Sequence, residues 1–226
     1  MYESLMCLPY FQGMSKDEIT TILDKVKLEF THYSEGELIV PQGAPCNNMM
    51  TLMRGTVLSH CTSPSGEYTL TEEHKENFTF EPYSLFGRSP FYSRSYHAKD
   101  ECDILTIEKS YLFKEFAKYD IFIMNFLNMI SQRAQQKSSQ IWSQRPLTLP
   151  EKIVEFLSVR VDNPNGQKIL QIKMEDLASI IGETRINVSR TLNSFRERGI
   201  IELRRKEIII PSFRKFIEAT NEPATP

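Results

Sequence analysis

A chain of 226 residues with 40% hydrophobic and 25% charged side chains is an ordinary globular composition, long enough for two separate cores. No stretch approaches the ~18 apolar residues of a membrane span, and MYESLMCLPYFQGMSKDE has no basic flank and apolar centre of a secretory leader. Cys7, Cys46, Cys61 and Cys102 are scattered without CxxC spacing, which suits reduced thiols and a cytoplasmic setting better than a disulfide framework. The formal net charge of -2 conceals a division. Residues 1–145 hold 14 Lys+Arg against 18 Asp+Glu, residues 146–226 hold 13 against 11, and Arg185–Lys215 holds nine against three. That last window suggests a polyanion partner that the whole-chain charge does not.

In chain order, SKDEITTIL opens with Ser15 three residues before Glu18, a capping-box pattern, and Ile19, Ile22, Leu23 and Val26 follow at helical spacing. From Lys27 to Glu108, short runs such as ELIV, MMTLM, TVLSH, EYTLTEE and DILTIE are separated by glycines and prolines at roughly ten-residue intervals. That rhythm predicts an antiparallel roll, barrel or sandwich. No Gly or Pro falls between Asp120 and Gln144, where Ile123, Leu127, Ile130, Ala134, Lys137 and Ile141 alternate spacings of four and three. This is a heptad seam broken by one lysine, and it predicts a parallel homodimer along that helix.

RPLTLPEK reads as a hinge, with Thr148 placed to cap a new helix and Pro150 in its first turn. DNPNGQ is a turn and KILQI a short strand. MEDLASII then sets Leu177, Ala178 and Ile181 on one helical face, Gly182 supplies a tight turn, and Thr184 can cap a second helix. In that helix Val188, Leu192 and Phe195 form the buried stripe while Ile186, Arg190 and Asn193 point away, with Arg185 and Ser189 in the first turns. IIELRRKEIII adds a hairpin with Arg204, Arg205 and Lys206 at its tip. Helix–turn–helix followed by a basic hairpin is winged-helix grammar, and its expected partner is double-stranded DNA read in the major groove. The expected contacts are Thr184, Arg185, Ile186, Ser189, Arg190, Asn193, Arg204 and Lys206.

The sequence resembles the cyclic AMP receptor protein / fumarate-nitrate regulator family of bacterial transcription factors. The resemblance runs from LPYFQGMSKDEI through GELIVPQG, LMRGTV and SGEY and is strongest in ETRINVSRTLNSFRERGII. It implies an α+β chain: an N-terminal antiparallel β-roll of the cyclic-nucleotide-binding-like jelly-roll kind over 1–119, a dimerisation helix over 120–145, and a winged helix–turn–helix over 146–226. It also implies an effector-responsive roll and RNA polymerase as a partner, and it makes Arg185, Ser189 and Arg190 base or backbone readers. Two departures stand out. Ile186 replaces the family's usual glutamate, so a thymine methyl rather than cytosine N4 is the expected contact at that step. The roll reads EPYSLFGRSPFYSRSYHAKDE, with no Gly-Glu pair and with Arg94-Ser95 as a partial echo of the family's phosphate-binding pair. Cyclic nucleotide is therefore not the expected effector, whose identity stays open.

A haem or metal sensor would need grouped ligands, and His32, His60, His74 and His97 are scattered. An iron–sulfur cluster would need grouped cysteines, and the N-terminal region offers Cys7 alone. No metal site and no catalytic residue is expected. The alternatives are a cyclic-nucleotide-binding module acting on a protein partner and, behind it, a metal-dependent β-barrel enzyme.

Overall fold

The computed structural model describes residues 2–141, 147–163 and 165–221, and the chain divides into two compact units. The first comprises Met1–Leu58 with His74–Gln136, the second Ser59–Glu73 with Lys137–Pro226. In chain order the first contains α1 (Tyr2–Met6), α2 (Lys16–Leu23), β1 (Leu28–Tyr33), β2 (Leu38–Val40), β3 (Asn48–Arg54) and the start of β4 (Thr56–Thr62). After the end of β5 (Tyr68–Lys75) it resumes with β6 (Ser95–Ala98), β7 (Cys102–Glu108), α3 (Lys109–Lys114) and most of α4 (Asp120–Ile141).

The capping box at Ser15 forms: the Ser15 hydroxyl accepts from the Glu18 amide and the Glu18 carboxylate from the Ser15 amide. Strands β1, β7 and β3 make one antiparallel sheet with Leu105 of β7 opposite both Phe30 and Thr51, and β2, β6 and β4 are neighbours in a second. β7 is central because Cys102, Ile104, Leu105 and Ile107 are all buried, as a strand paired on both edges requires. The β3–β4 turn needs Gly55, whose φ is +90° and where a Cβ would collide with the Glu101 carbonyl. The core is aromatic: Phe11 stacks on Phe116 at 5.7 Å, Phe122 lies 4.9 Å from Phe116, and the Tyr10 hydroxyl meets Thr51 Oγ1 at 3.0 Å. Of the roll's other aromatic side chains, Phe80, Tyr92 and Tyr96 are core, whereas Phe91 is exposed.

Two faces of α4 behave differently. Phe122 and Phe126 stack nearly parallel and pack on the roll core, while Asn125 donates to the Gln12 carbonyl at 2.7 Å. Met124 and Leu127 are 57% and 51% exposed. Of the predicted seam, Ile123 and Ile130 are half-buried, Leu127 and Ala134 are exposed, and the side chain of Ile141 lies outside the described residues, as do residues 142–146. The roll-facing aromatics of this helix went unremarked in the sequence pattern.

The second unit contains α5 (Leu149–Ser158), β8 (Lys168–Ile172), α6 (Met174–Ile181), α7 (Arg185–Glu197), β9 (Glu202–Arg204), β10 (Glu207–Ile210) and α8 (Phe213–Asn221). Its antiparallel sheet runs β5-β8-β10-β9, because the tip of the β4–β5 hairpin supplies the outermost strand. Leu70 and Leu170 face each other across β5 and β8, and both are buried with Ile153, Leu157, Leu177, Val188, Leu192, Ile210 and Phe213. Helix α5 begins where predicted, the Glu151 carboxylate accepting from the Thr148 amide at 2.8 Å and hydroxyl at 2.9 Å. Helix α8, which the sequence reading did not single out, covers the core through a Phe195–Phe216 edge contact at 4.9 Å.

Candidate nucleic-acid interface

The basic helix is fixed at both ends by its own sequence. Thr184 caps α7, its hydroxyl accepting from the Asn187 amide at 3.3 Å, and this satisfies one of the helix's unpaired N–H groups. Upstream, Gly182 closes α6 in the left-handed region at φ 67°, and the Glu183 amide reaches back to the Ala178 carbonyl at 2.9 Å. Gly199 ends α7 the same way at φ 70°, with the Ile200 amide on the Phe195 carbonyl at 3.0 Å. The inter-helix turn is also held from outside: Lys152 of α5 pairs with Glu183 at 2.7 Å, the two side chains 32% and 25% exposed. The sequence signal for that tether, one lysine and one glutamate 31 residues apart, is invisible to local periodicity.

With Val188, Leu192 and Phe195 buried, the opposite face of α7 is fixed as the free one. Ile186 is 70% exposed, the largest value among the exposed large apolar side chains of the described residues, and Arg185 and Arg190 are exposed beside it. An apolar side chain that open has no packing role to explain it. Ser189 and Asn193 are half-buried and joined, Asn193 Nδ2 donating to the Ser189 carbonyl at 2.8 Å. Asn193 is thereby partly committed to its own helix. Arg185 Nε lies 3.8 Å from Glu175, an exposed pair that holds the arginine loosely.

The wing forms as expected. β9 and β10 pair with Arg204 opposite Glu207, so Arg205 and Lys206 make the tip, and Lys206 adopts the left-handed region at φ 61°. Between the wing and the start of α7 is a cleft of about 300 Å³ lined by Lys173, Glu175, Arg185, Arg204, Lys206 and Glu207 among others. Four cations and two carboxylates converge there, a surface suited to phosphate oxygens with room for correction by the acids. Thr184, Arg185, Ile186 and Arg190 on one element, and Arg204 and Lys206 on the other, are therefore all exposed residues of this one unit.

In the roll, Arg94 is buried and Ser95 is occupied, its hydroxyl accepting from the Gln42 amide at 2.9 Å. The polar centre next to Arg94 is instead Glu81, which sequence reading passed over. It is 1% exposed and left-handed at φ 37°, and its carboxylate accepts from the Ser93 amide (2.8 Å), the Ser84 hydroxyl (2.9 Å) and the Tyr96 hydroxyl (3.3 Å). Burial and then Glu81 push the Tyr83 phenol above its ordinary range, opposed by Arg94 and by Arg133 of α4, whose guanidinium lies 5.6 Å from the Tyr83 ring. A lone acidic residue in the aromatic run FTFEPY was the available signal for this cluster. Among the described residues no group of His, Cys, Asp and Glu could hold a metal ion, and no helix is long and apolar enough to cross a membrane.

Comparison with known proteins finds two family domains in this chain. A Crp-like helix–turn–helix domain matches residues 151–218 and a cyclic nucleotide-binding domain matches residues 30–119. The global nitrogen regulator of Synechococcus elongatus is 24% identical over 194 residues, 82% of this chain and 87% of that protein. Among solved structures, one from Eubacterium rectale described as a transcriptional regulator of the crp/fnr family shares the fold at TM-score 0.53 and 18% identity, covering 95% of this chain and 99% of that one. The sensor domain of the regulator DNR from Pseudomonas aeruginosa does so at TM-score 0.52 and 18% identity, covering 64% of this chain and 95% of that one.

A cyclic-nucleotide-binding-like roll joined to a winged helix–turn–helix defines a transcription regulator, and that class is one of DNA-binding proteins rather than enzymes. The chain belongs to the Crp/Fnr family.

Proposed function

We propose that this chain is a homodimeric regulator that reads a pseudo-palindromic DNA site through α7, with an effector other than cyclic AMP. The observation that carries the reading is the open Ile186, flanked by exposed Arg185 and Arg190 on the face of α7 opposite its buried stripe. Arg190 would grip guanine O6 and N7 bidentately, Ile186 would meet a thymine methyl, and Arg185 and Ser189 would complete the base and backbone contacts. Thr184, Asn193, Arg204 and Lys206 would position the helix and wing on phosphates. Two such helices related by a two-fold axis would read half-sites about 34 Å apart.

Met124 and Leu127, exposed on α4 beside half-buried Ile123 and Ile130, support a second copy as the helix's other partner, with Ala134 and Ile141 continuing the seam. The Ser93 amide beside Arg94 is already engaged by Glu81, which argues against Arg94 and Ser95 receiving a cyclic phosphate. RNA polymerase is the expected downstream partner of a Crp/Fnr-type regulator, and a cytoplasmic location follows from that role.

The test is selection of bacterial genomic fragments by the purified protein at two salt concentrations, with and without cyclic AMP. Recovery of a shared two-fold motif, unaffected by the nucleotide, is the expected result. Retention that is salt-sensitive and free of any motif would reduce α7 to a generic polyanion face.

A further inference from the structure

Residues 59–73 leave the first unit as the tip of a hairpin and are built into the second. Four independent features hold them there. Tyr68–Glu72 pair antiparallel with Lys168–Ile172 over the full length of β8. Leu70 is 1% exposed and belongs to the core of the second unit. Tyr68 packs edge-on against Phe156 at 5.3 Å, and its hydroxyl accepts from Arg160 Nε at 2.7 Å while that guanidinium lies over both rings. Last, Glu72 and Lys168 form an ion pair at 3.3 Å with both side chains completely buried.

The pair is thoroughly supplied. Glu72 accepts from the Asp162 amide at 2.9 and 3.0 Å and from the Asn163 amide at 3.3 Å, and Lys168 donates to the Asn165 carbonyl at 2.8 Å. A charge pair so deep gains little over apolar packing, but it tolerates no other register, and a one-residue slip of β5 would bury an unpaired charge. Such a pair therefore suits a contact that must be either fully made or fully broken. β8 in turn carries β10, the inner strand of the wing, with Leu170 opposite Ile208. None of the residues lining the cleft between wing and α7 comes from the hairpin, so the hairpin braces the DNA-facing side without covering it.

We propose that the Glu72–Lys168 pair is a latch that docks hairpin 59–73 as a removable outer strand of the DNA-binding unit, and that the docked strand is required for tight DNA binding. The second half rests on the reading of this unit as DNA-binding; the first does not. Because the strand and the DNA would act on one sheet, the coupling must be reciprocal: whatever factor docking adds to DNA affinity, DNA adds to docking.

The experiment is amide hydrogen exchange on the full-length chain, followed in the segments 68–72, 162–163 and 185–197, alongside affinity for the selected DNA site. In the unmodified protein, saturating DNA should slow exchange in 68–72. Glu72→Gln should accelerate exchange in 68–72 and 162–163, leave 185–197 protected, and weaken DNA binding about tenfold, within the range typical of coupled sites. Tyr68→Phe, which removes only the hydroxyl bonded to Arg160, should move both readouts in the same direction by less, and it stands in should Glu72→Gln unfold the unit. Unchanged exchange in 68–72 in both variants would overturn the latch. Accelerated exchange with unchanged affinity, or no protection by DNA, would overturn its coupling to DNA. Failure of the unmodified protein to select any motif would instead sink the regulator reading, and the exchange data without DNA would still decide the latch.

Discussion

Ile186 and Arg190 occupy the same exposed face of α7, yet their contributions differ in kind. A bidentate arginine contributes affinity and discrimination together, so Arg190→Ala should weaken specific binding by roughly 1–3 kcal/mol and relax the preference at one base pair. Fluorescence anisotropy against the selected and base-substituted sites checks this. Isoleucine offers only apolar contact, so Ile186→Glu should shift the preferred base at its step from thymine toward cytosine, whose N4 amino group can donate to the carboxylate, with overall salt dependence slightly altered by the new charge. Repeating the fragment selection with that variant reads the change directly. The thiols make a third residue-scale case. Burial, helped by Asp100, Asp103 and Glu37, pushes the Cys102 thiol up to about 11, and burial also raises Cys46. Cys7 is exposed. Iodoacetamide near pH 7.5 should therefore label Cys7 quickly and leave Cys46 and Cys102 unmodified until the protein unfolds, as peptide mass spectrometry would report.

Elements differ in how much of them the sequence displays. α7 was legible because its stripe, its Thr184 cap and its Gly199 stop are all local, and the wing because IIELRRKEIII packs β-branched residues around a polar tip. β6 was not, since SYHA is four residues long with too few alternations to count. The face of α4 that carries Phe122 and Phe126 was overlooked because Ile123 and Leu127 offered a regular seam one position over. Glu81 escaped for a different reason: its three donors come from Ser84, Ser93 and Tyr96, and only the folded loop brings them together. Two glycines separate local from long-range causes. Gly182→Ala pays only for its left-handed backbone, since nothing stands within 4 Å of the added Cβ, and should cost roughly 1 kcal/mol. Gly55→Ala adds a collision with the Glu101 backbone and should lower the melting temperature distinctly more.

At the scale of the molecule, α4 has a packed face and an exposed one. Phe122 is 3% exposed against Phe116 and Phe11, and Phe122→Ala should destabilise the roll by about 3–5 kcal/mol. Leu127, half exposed, should tolerate Leu127→Glu without loss of folding; if α4 pairs with a second copy as proposed, sedimentation should show that variant as a monomer and DNA affinity should drop with it. Buried thermal stability lost in one variant and assembly lost in the other would separate the two faces of one helix.

Residues 59–73 reach the growing chain's exit long before β8, α6 and α7 exist, so the compact unit that holds the winged helix is not a contiguous stretch of sequence. Leu70 must wait unburied for partners nearly a hundred positions downstream, which raises the contact order of the unit and exposes its last strand to mispairing during synthesis. The converse holds for anyone excising the C-terminal third as a tidy fragment. Cut at residue 146, it would present β8 as a bare edge and leave Lys168 without the Glu72 carboxylate, and it should self-associate more readily than the full-length chain.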